Sequence, residues 1–147
     1  MGINTALTEW PSIQIPDAVK QHVDKFFSIM DTNAPEAGGR LAEEIFASDG
    51  AIDGHHRFEG TEALRRSRDN AWKVIATRRH EILKVFTDSV TAEDLLVLGQ
   101  VTVGYVSGEK KRGEFTARIS LVDTQTSHPR IKLYKVWMDT AAMVKVE

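Results

Sequence analysis

An imidazole near its titration point is the most versatile acid–base group in a protein. One such group, His80, lies inside an alternating stretch that reads as a β-strand. It is either a proton carrier or a hydrogen-bonded histidine at a sheet edge. Asp31, in MDTNAPE, is a carboxylate that either takes part in proton transfer or closes the preceding helix and accepts loop N–H groups, as Asp does in turns. Tyr105 and Tyr134 each place an O–H on an otherwise apolar strand. Each can hold or polarise a substrate oxygen, or else pack in the core with its hydroxyl satisfied locally. His55 and His56 are adjacent, so on a strand they point to opposite sides. They make a poor metal pair, and His56 is the one expected to face a ligand. No histidines recur at i and i+4 with a third ligand, so no metal is expected. Arg40 either reaches an anionic or carbonyl oxygen or pairs with Glu44 one turn on, and the pairing is favoured. Asp53 reads as a surface hairpin carboxylate.

The totals narrow the chemistry. The chain has 147 residues, which fits one domain. It contains no cysteine, so disulfides, thiolate nucleophiles and sulfur metal sites are excluded. The formal net charge of -2 argues against nucleic acid as a partner. Its basic stretches (Arg65, Arg66 and Arg68; Arg78 and Arg79; Lys110 to Arg112) are short and interleaved with acids, and read as solvated faces. No run approaches the roughly 18 apolar residues of a membrane span, and the start MGINTALTEW lacks a secretory pattern. The expectation is a cytoplasmic protein with no membrane or nucleic-acid partner.

The elements that must position these side chains follow from periodicity. Residues 1–15 read as an arm on the surface, 16–142 as the domain, and 143–147 as a tail. Pro16 opens a helix whose Val19, Val23, Phe26, Phe27 and Met30 follow helical spacing. PEAGGRLAEEIFAS gives a shorter one, with Leu41, Ile45 and Phe46 on one side. AIDGHHRFEG reads as a short hairpin. Thr61 then caps a third helix over 61–76, with Leu64, Ala71, Trp72 and Ile75 on its apolar face. After Ala76 the period becomes two: His80, Ile82, Lys84 and Phe86 share one face. Val97, Gly99, Val101, Val103 and Tyr105 share one face of the next strand, and Phe115, Ala117, Ile119 and Leu121 one face of the third. RIKLYKVWMD is the last. Three helices, then four long strands joined by short turns, predict an α+β fold with a meander sheet.

FASDGAIDGHHRFEGTEALR, SRDNAWKVIATRRHEILKVF, VLGQVTVGYV and KLYKVWMDTAA, in this order, resemble the SnoaL-like branch of the nuclear transport factor 2-like superfamily. The last pattern is similar to that of small fungal members. The resemblance implies a cone-shaped, curved antiparallel sheet with three N-terminal helices enclosing a pocket. Alternate strand residues would line that pocket: Val101, Val103, Ala117, Val136 and Met138, with Phe26 below, Trp72 as a roof and Arg40 at the mouth.

The resemblance also tests particular chemistries. Positions where ketosteroid isomerases carry a tyrosine and two carboxylic acids match Phe26, Gly54 and Ala117. Positions where epoxide hydrolases hold a water with an Arg and two Asp match Val101, Val103 and Val136. Scytalone dehydratases use an Asp and a His that match Asp31 and His80, although their tyrosines become Met30 and Gly54. The expected function is therefore a cofactor-independent isomerase, cyclase or dehydratase acting on an apolar polyketide, terpenoid or alkaloid of secondary metabolism. The catalytic candidates are His80, Asp31, Tyr105, Tyr134 and His56. A non-catalytic small-molecule-binding module and a dimeric interaction domain are the alternatives. Trp137 and Leu133, on the convex side, suggest a homodimer through that face.

Overall fold

A computed structural model describes residues 2–147. The first helix, α1, spans Asp17–Met30 with Pro16 at its N-cap. It buries Val19, Val23, Phe26, Phe27 and Met30, as the spacing required, and adds His22 and Ile29. Asp31 is its C-cap residue. The second helix is short: α2 covers Ala37–Arg40, widens into a π-helical turn at Leu41–Ile45, and gives way to β1 at Phe46–Asp53. Phe46, expected on the helix, thus begins a strand. A hairpin returns through β2, Arg57–Glu59, antiparallel to β1.

The third helix, α3, is limited to Thr61–Arg66. Gly60, at φ 86°, occupies the N-cap, and the Thr61 hydroxyl bonds Ser48 O instead of capping. The helix expected to reach residue 76 dissolves into turns with three-residue spacing: Ser67 N to Leu64 O, Asp69 N to Arg66 O, Ala71 N to Arg68 O. The Ser67 hydroxyl also bonds Leu64 O at 2.7 Å. Ser, Asp and Asn close together offer the backbone such local alternatives to a helix. Apolar spacing alone could not show this.

Four long strands follow: β3 Ile75–Phe86, β4 Asp94–Tyr105, β5 Lys110–Val122 and β6 Arg130–Trp137. They form an antiparallel meander, and β7, Val144–Lys145, adds to β5. The sheet order is β2-β1-β6-β5-β4-β3. The β1–β6 pairing is parallel, so the curved sheet is mixed where a purely antiparallel one was expected. Alternation reports which face a residue occupies, not which way its neighbour runs.

The inward phase matches expectation on the central strands. Val97, Val101, Val103, Phe115, Ala117, Ile119, Leu121 and Tyr134 are buried. Leu96, Leu98 and Trp137 stand exposed on the convex face, where Lys135 lies over the Trp137 ring. On β3 a bulge between Ile82 and Lys84 shifts the register, so Val85 turns in and Phe86 turns out. The N-terminal arm is tied down along the β3 edge. Ile82 N bonds Asn4 O, Glu9 N bonds Leu83 O, and Val85 N bonds Glu9 O. Thr5 anchors it to α1 through Asp24, by its N–H at 2.9 Å and its hydroxyl at 2.8 Å. A strand edge that would otherwise present free N–H and C=O groups is covered. No helix among the described residues is long and apolar enough to cross a membrane.

Candidate functional site

His80 and Asp31 meet. Asp31 ends α1, and the inward phase of β3 turns the His80 ring toward it. His80 Nδ1 lies 2.6 Å from Asp31 Oδ1, and the His80 backbone N–H donates to Oδ2 at 2.7 Å. A third donor comes from the arm: Asn4 Nδ2 bonds Asp31 Oδ2 at 2.9 Å and His80 O at 2.9 Å. An ionised carboxylate only accepts, so Nδ1 carries a proton, and in the neutral ring Nε2 is then the atom with the free lone pair. This is the arrangement of a base oriented by a third group. The ring packs with Phe27 and Phe115, at centroid distances of 5.2 and 5.5 Å, and only 8% of His80 is exposed.

Tyr134 is buried beside this pair, edge-on to Phe26 and Phe27. Burial, reinforced by the negative charge of Asp31, raises its hydroxyl well above the usual phenol range, while Arg68 and Arg78 pull it back. It therefore stays protonated and can donate to a developing oxyanion. Phe26, Phe27, Phe46, Phe115 and Tyr134 pack together in the core. Val101, Val103 and Ala117 are buried with them, and Val136, Met138 and Tyr105 are half-buried against that core.

Two arginines enter the same interior, where solvated ones were expected. Arg78 shares the inward face of β3 with His80, and Arg68 follows α3. Arg68 gives Nη2 to Met30 O at 3.2 Å, and Arg78 gives Nη2 to Ala71 O at 3.2 Å. Burial, with the nearby Arg78 charge, pushes the Arg68 guanidinium down to about 10; burial lowers Arg78 as well. Asp31 opposes the shift in both. Both remain charged at neutral pH. Arg78 stacks over Trp72, 4.8 Å from the ring centroid.

Other expected residues lie elsewhere. Arg40 pairs with Glu44 at 2.7 Å on the surface of α2. His55 and His56 are both exposed at the β1–β2 turn, their rings 4.7 Å apart. Asp53 pairs with Arg57 at 3.1 Å. Trp72 is half-buried, on the turns beyond α3 rather than on a helix. Two surface clefts, of about 270 and 440 Å³, lie away from His80: one lined by His22, Lys25, Glu44 and Arg130, the other by Phe86, Asp94 and Arg118. Glu44 and Asp94 are already ion-paired there, so neither cleft rivals the buried cluster as a site of proton chemistry. Among the described residues no group of three or more His, Cys, Asp or Glu could hold a metal ion.

Three contributors escaped sequence reasoning: Asn4, Arg68 and Arg78. Arg78 lies two residues before His80, so the alternation already put both on one face. Arg68 lies four residues after Leu64 and four before Trp72, on the apolar side of the stretch. Nothing in the sequence pointed to Asn4.

Solved structures share this architecture. A hypothetical protein with a ketosteroid isomerase-like fold from Catenulispora acidiphila is 13% identical, with 88% of this chain and 90% of that chain covered and a TM-score of 0.65. A proposed scytalone dehydratase from Novosphingobium aromaticivorans is 14% identical, with 88% and 86% covered and a TM-score of 0.61. A proposed SnoaL-like polyketide cyclase from Jannaschia is 12% identical, with 90% and 92% covered and a TM-score of 0.64. No protein-family profile and no curated protein matches the chain. At these identities the likeness establishes the fold: α+β, with the curved sheet of the nuclear transport factor 2-like proteins. Such a fold carries many functions, so function must come from the site.

Proposed function

We propose that the protein is a cofactor-independent isomerase, cyclase or dehydratase that moves a proton on an apolar small molecule. The observation that carries this reading is the 2.6 Å contact between His80 Nδ1 and Asp31. It fixes the tautomer that leaves Nε2 as a base, and the conjugate acid can return the proton to a different atom of the substrate. Tyr134 would donate to the substrate oxygen as charge develops. Proton relocation of this kind needs no electron carrier, and the apolar walls supply binding and orientation. Two solved neighbours, a proposed scytalone dehydratase and a proposed polyketide cyclase, belong to these same reaction classes.

Solvent deuterium incorporation into a panel of apolar enolisable ketones, followed by NMR, tests the reading without knowledge of the product. The wild type should accelerate exchange in some members, and His80→Gln should lose roughly 10²–10⁴ of that rate. Equal exchange by the two proteins would remove His80 from the chemistry. Tight ketone binding with no exchange by either would make the protein a carrier.

A further inference from the structure

We propose that Arg68, Arg78 and the indole N–H of Trp72 form a carboxylate-binding site, so that the ligand of the cone is an apolar carboxylic acid. This deepens the proton-transfer reading and rests on it for the identity of the pocket. Three donors carry the inference: Arg68 Nε, Arg78 Nη1 and Trp72 Nε1 are all buried and have no hydrogen-bond partner in the chain. Buried donors are almost always paired, and each one left unmade costs free energy, more so on a charged group. Finding three in one cluster, two of them on guanidinium groups, points to a ligand that supplies acceptors.

Charge says which acceptors. Neither arginine forms an ion pair among the described residues; each bonds a backbone carbonyl, of Met30 or Ala71. The nearest carboxylate is Asp31, and its oxygens already take three N–H donors from His80 and Asn4. Two half-buried cations thus stand near one anion that is otherwise engaged, each with a buried N–H that meets no acceptor. Buried charge without a counter-charge is strongly unfavourable, and an entering anion relieves it. The number and shape of the donors then select among anions. A single carbonyl oxygen offers two lone pairs, too few for three donors, whereas a carboxylate offers about four sites and fits guanidinium forks. Half-buried Ile75 and Tyr105, which pair across β3 and β4, make the adjoining wall apolar.

Benzoate and its neutral isostere benzamide are the probes, read by thermal shift and titration calorimetry at constant ionic strength in chloride. Benzoate should raise the melting temperature saturably and benzamide should not. Arg68→Gln and Arg78→Gln should each weaken benzoate at least about tenfold, the loss expected for one charge-assisted hydrogen bond. Arg79→Gln, one residue from Arg78 but on the exposed face, should bind as the wild type does. Arg68→Lys and Arg78→Lys keep the charge and should fall between, and they stand in if a glutamine variant does not fold. Benzoate binding is read without turnover, so failure of this site is distinguished from failure of the proton-transfer reading, which the deuterium assay of His80→Gln detects. Equal stabilisation by benzoate and benzamide, or unchanged benzoate affinity in the arginine variants, would overturn the proposal.

Discussion

Replacing Asp31 by Asn separates the two duties this carboxylate performs. The side chain keeps its size, and its carbonyl oxygen can still accept from the His80 backbone N–H and from Asn4, which converge on Oδ2 at 2.7 and 2.9 Å. The new amide NH₂ then faces His80 Nδ1. Two donors cannot share that 2.6 Å contact, so the imidazole proton moves to Nε2 and Nδ1 accepts. Three bonds to a charged group become three neutral ones, a loss of about 1 kcal/mol each, or about 3 kcal/mol in all. For a domain of this size that lowers the melting temperature by roughly 6–12 °C, leaving the fold intact. The catalytic cost is far larger, because Nε2 no longer carries the lone pair; the wrong tautomer in a comparable triad costs about 10⁴ in rate. Imidazole ¹⁵N NMR checks the tautomer directly, beside thermal melts and the deuterium-exchange assay. If Asp31→Asn keeps its proton on Nδ1, or exchanges as fast as wild type, the oriented-base reasoning is wrong.

The fold makes its own predictions. A Cβ on Gly38 would lie 2.0 Å from the Arg65 carbonyl oxygen, a backbone atom of α3 that has nowhere to go, whereas at Gly39 the nearest atom is the flexible Arg65 Nη1 at 3.4 Å. Gly38→Ala should therefore cost several kcal/mol, on the scale of about 1–3 or more for overpacking. Gly39→Ala should be neutral or gain up to about 1 kcal/mol, and denaturant melts of the two variants would expose any failure of the contrast. His22 is buried and donates from Nε2 to Ile45 O at 3.0 Å, and burial holds its imidazole below the ordinary 6.5. The unfolded chain then binds the proton first as pH falls through 6.5, so this contribution to stability is complete above that value and drains away below it. His22→Gln should flatten the fall in melting temperature between pH 7 and 5; an unchanged slope would contradict it.

Strand phase was the most legible part of the sequence. Val101, Val103, Phe115, Ala117 and Ile119 occupy the inside because a half-buried strand exposes alternate residues to water, and composition records that directly. The same logic failed where one extra residue entered β3, since a bulge has no compositional mark strong enough to reveal that Val85 replaces Phe86 inside. It failed differently at α3: Leu64, Ala71, Trp72 and Ile75 keep helical spacing, yet the chain turns after Arg66. The parallel pairing of β1 with β6 joins segments some eighty residues apart, and neither segment's own pattern encodes it.

The site was legible only where its residues have one obvious use. His80 and Asp31 were singled out because the resemblance to scytalone dehydratases marks both positions, and the structure brings them together across 49 residues. Arg68 and Arg78 were hidden by a sound general rule, that guanidinium groups seek water. Phase contradicted that rule at Arg78, which falls in step with His80 on β3, whereas Arg68 lies past the end of α3, where helical spacing no longer reports a face. A charged residue on the inward phase of a strand is therefore a place to look for a ligand. Solvation would have moved it outward unless something inside repaid its burial.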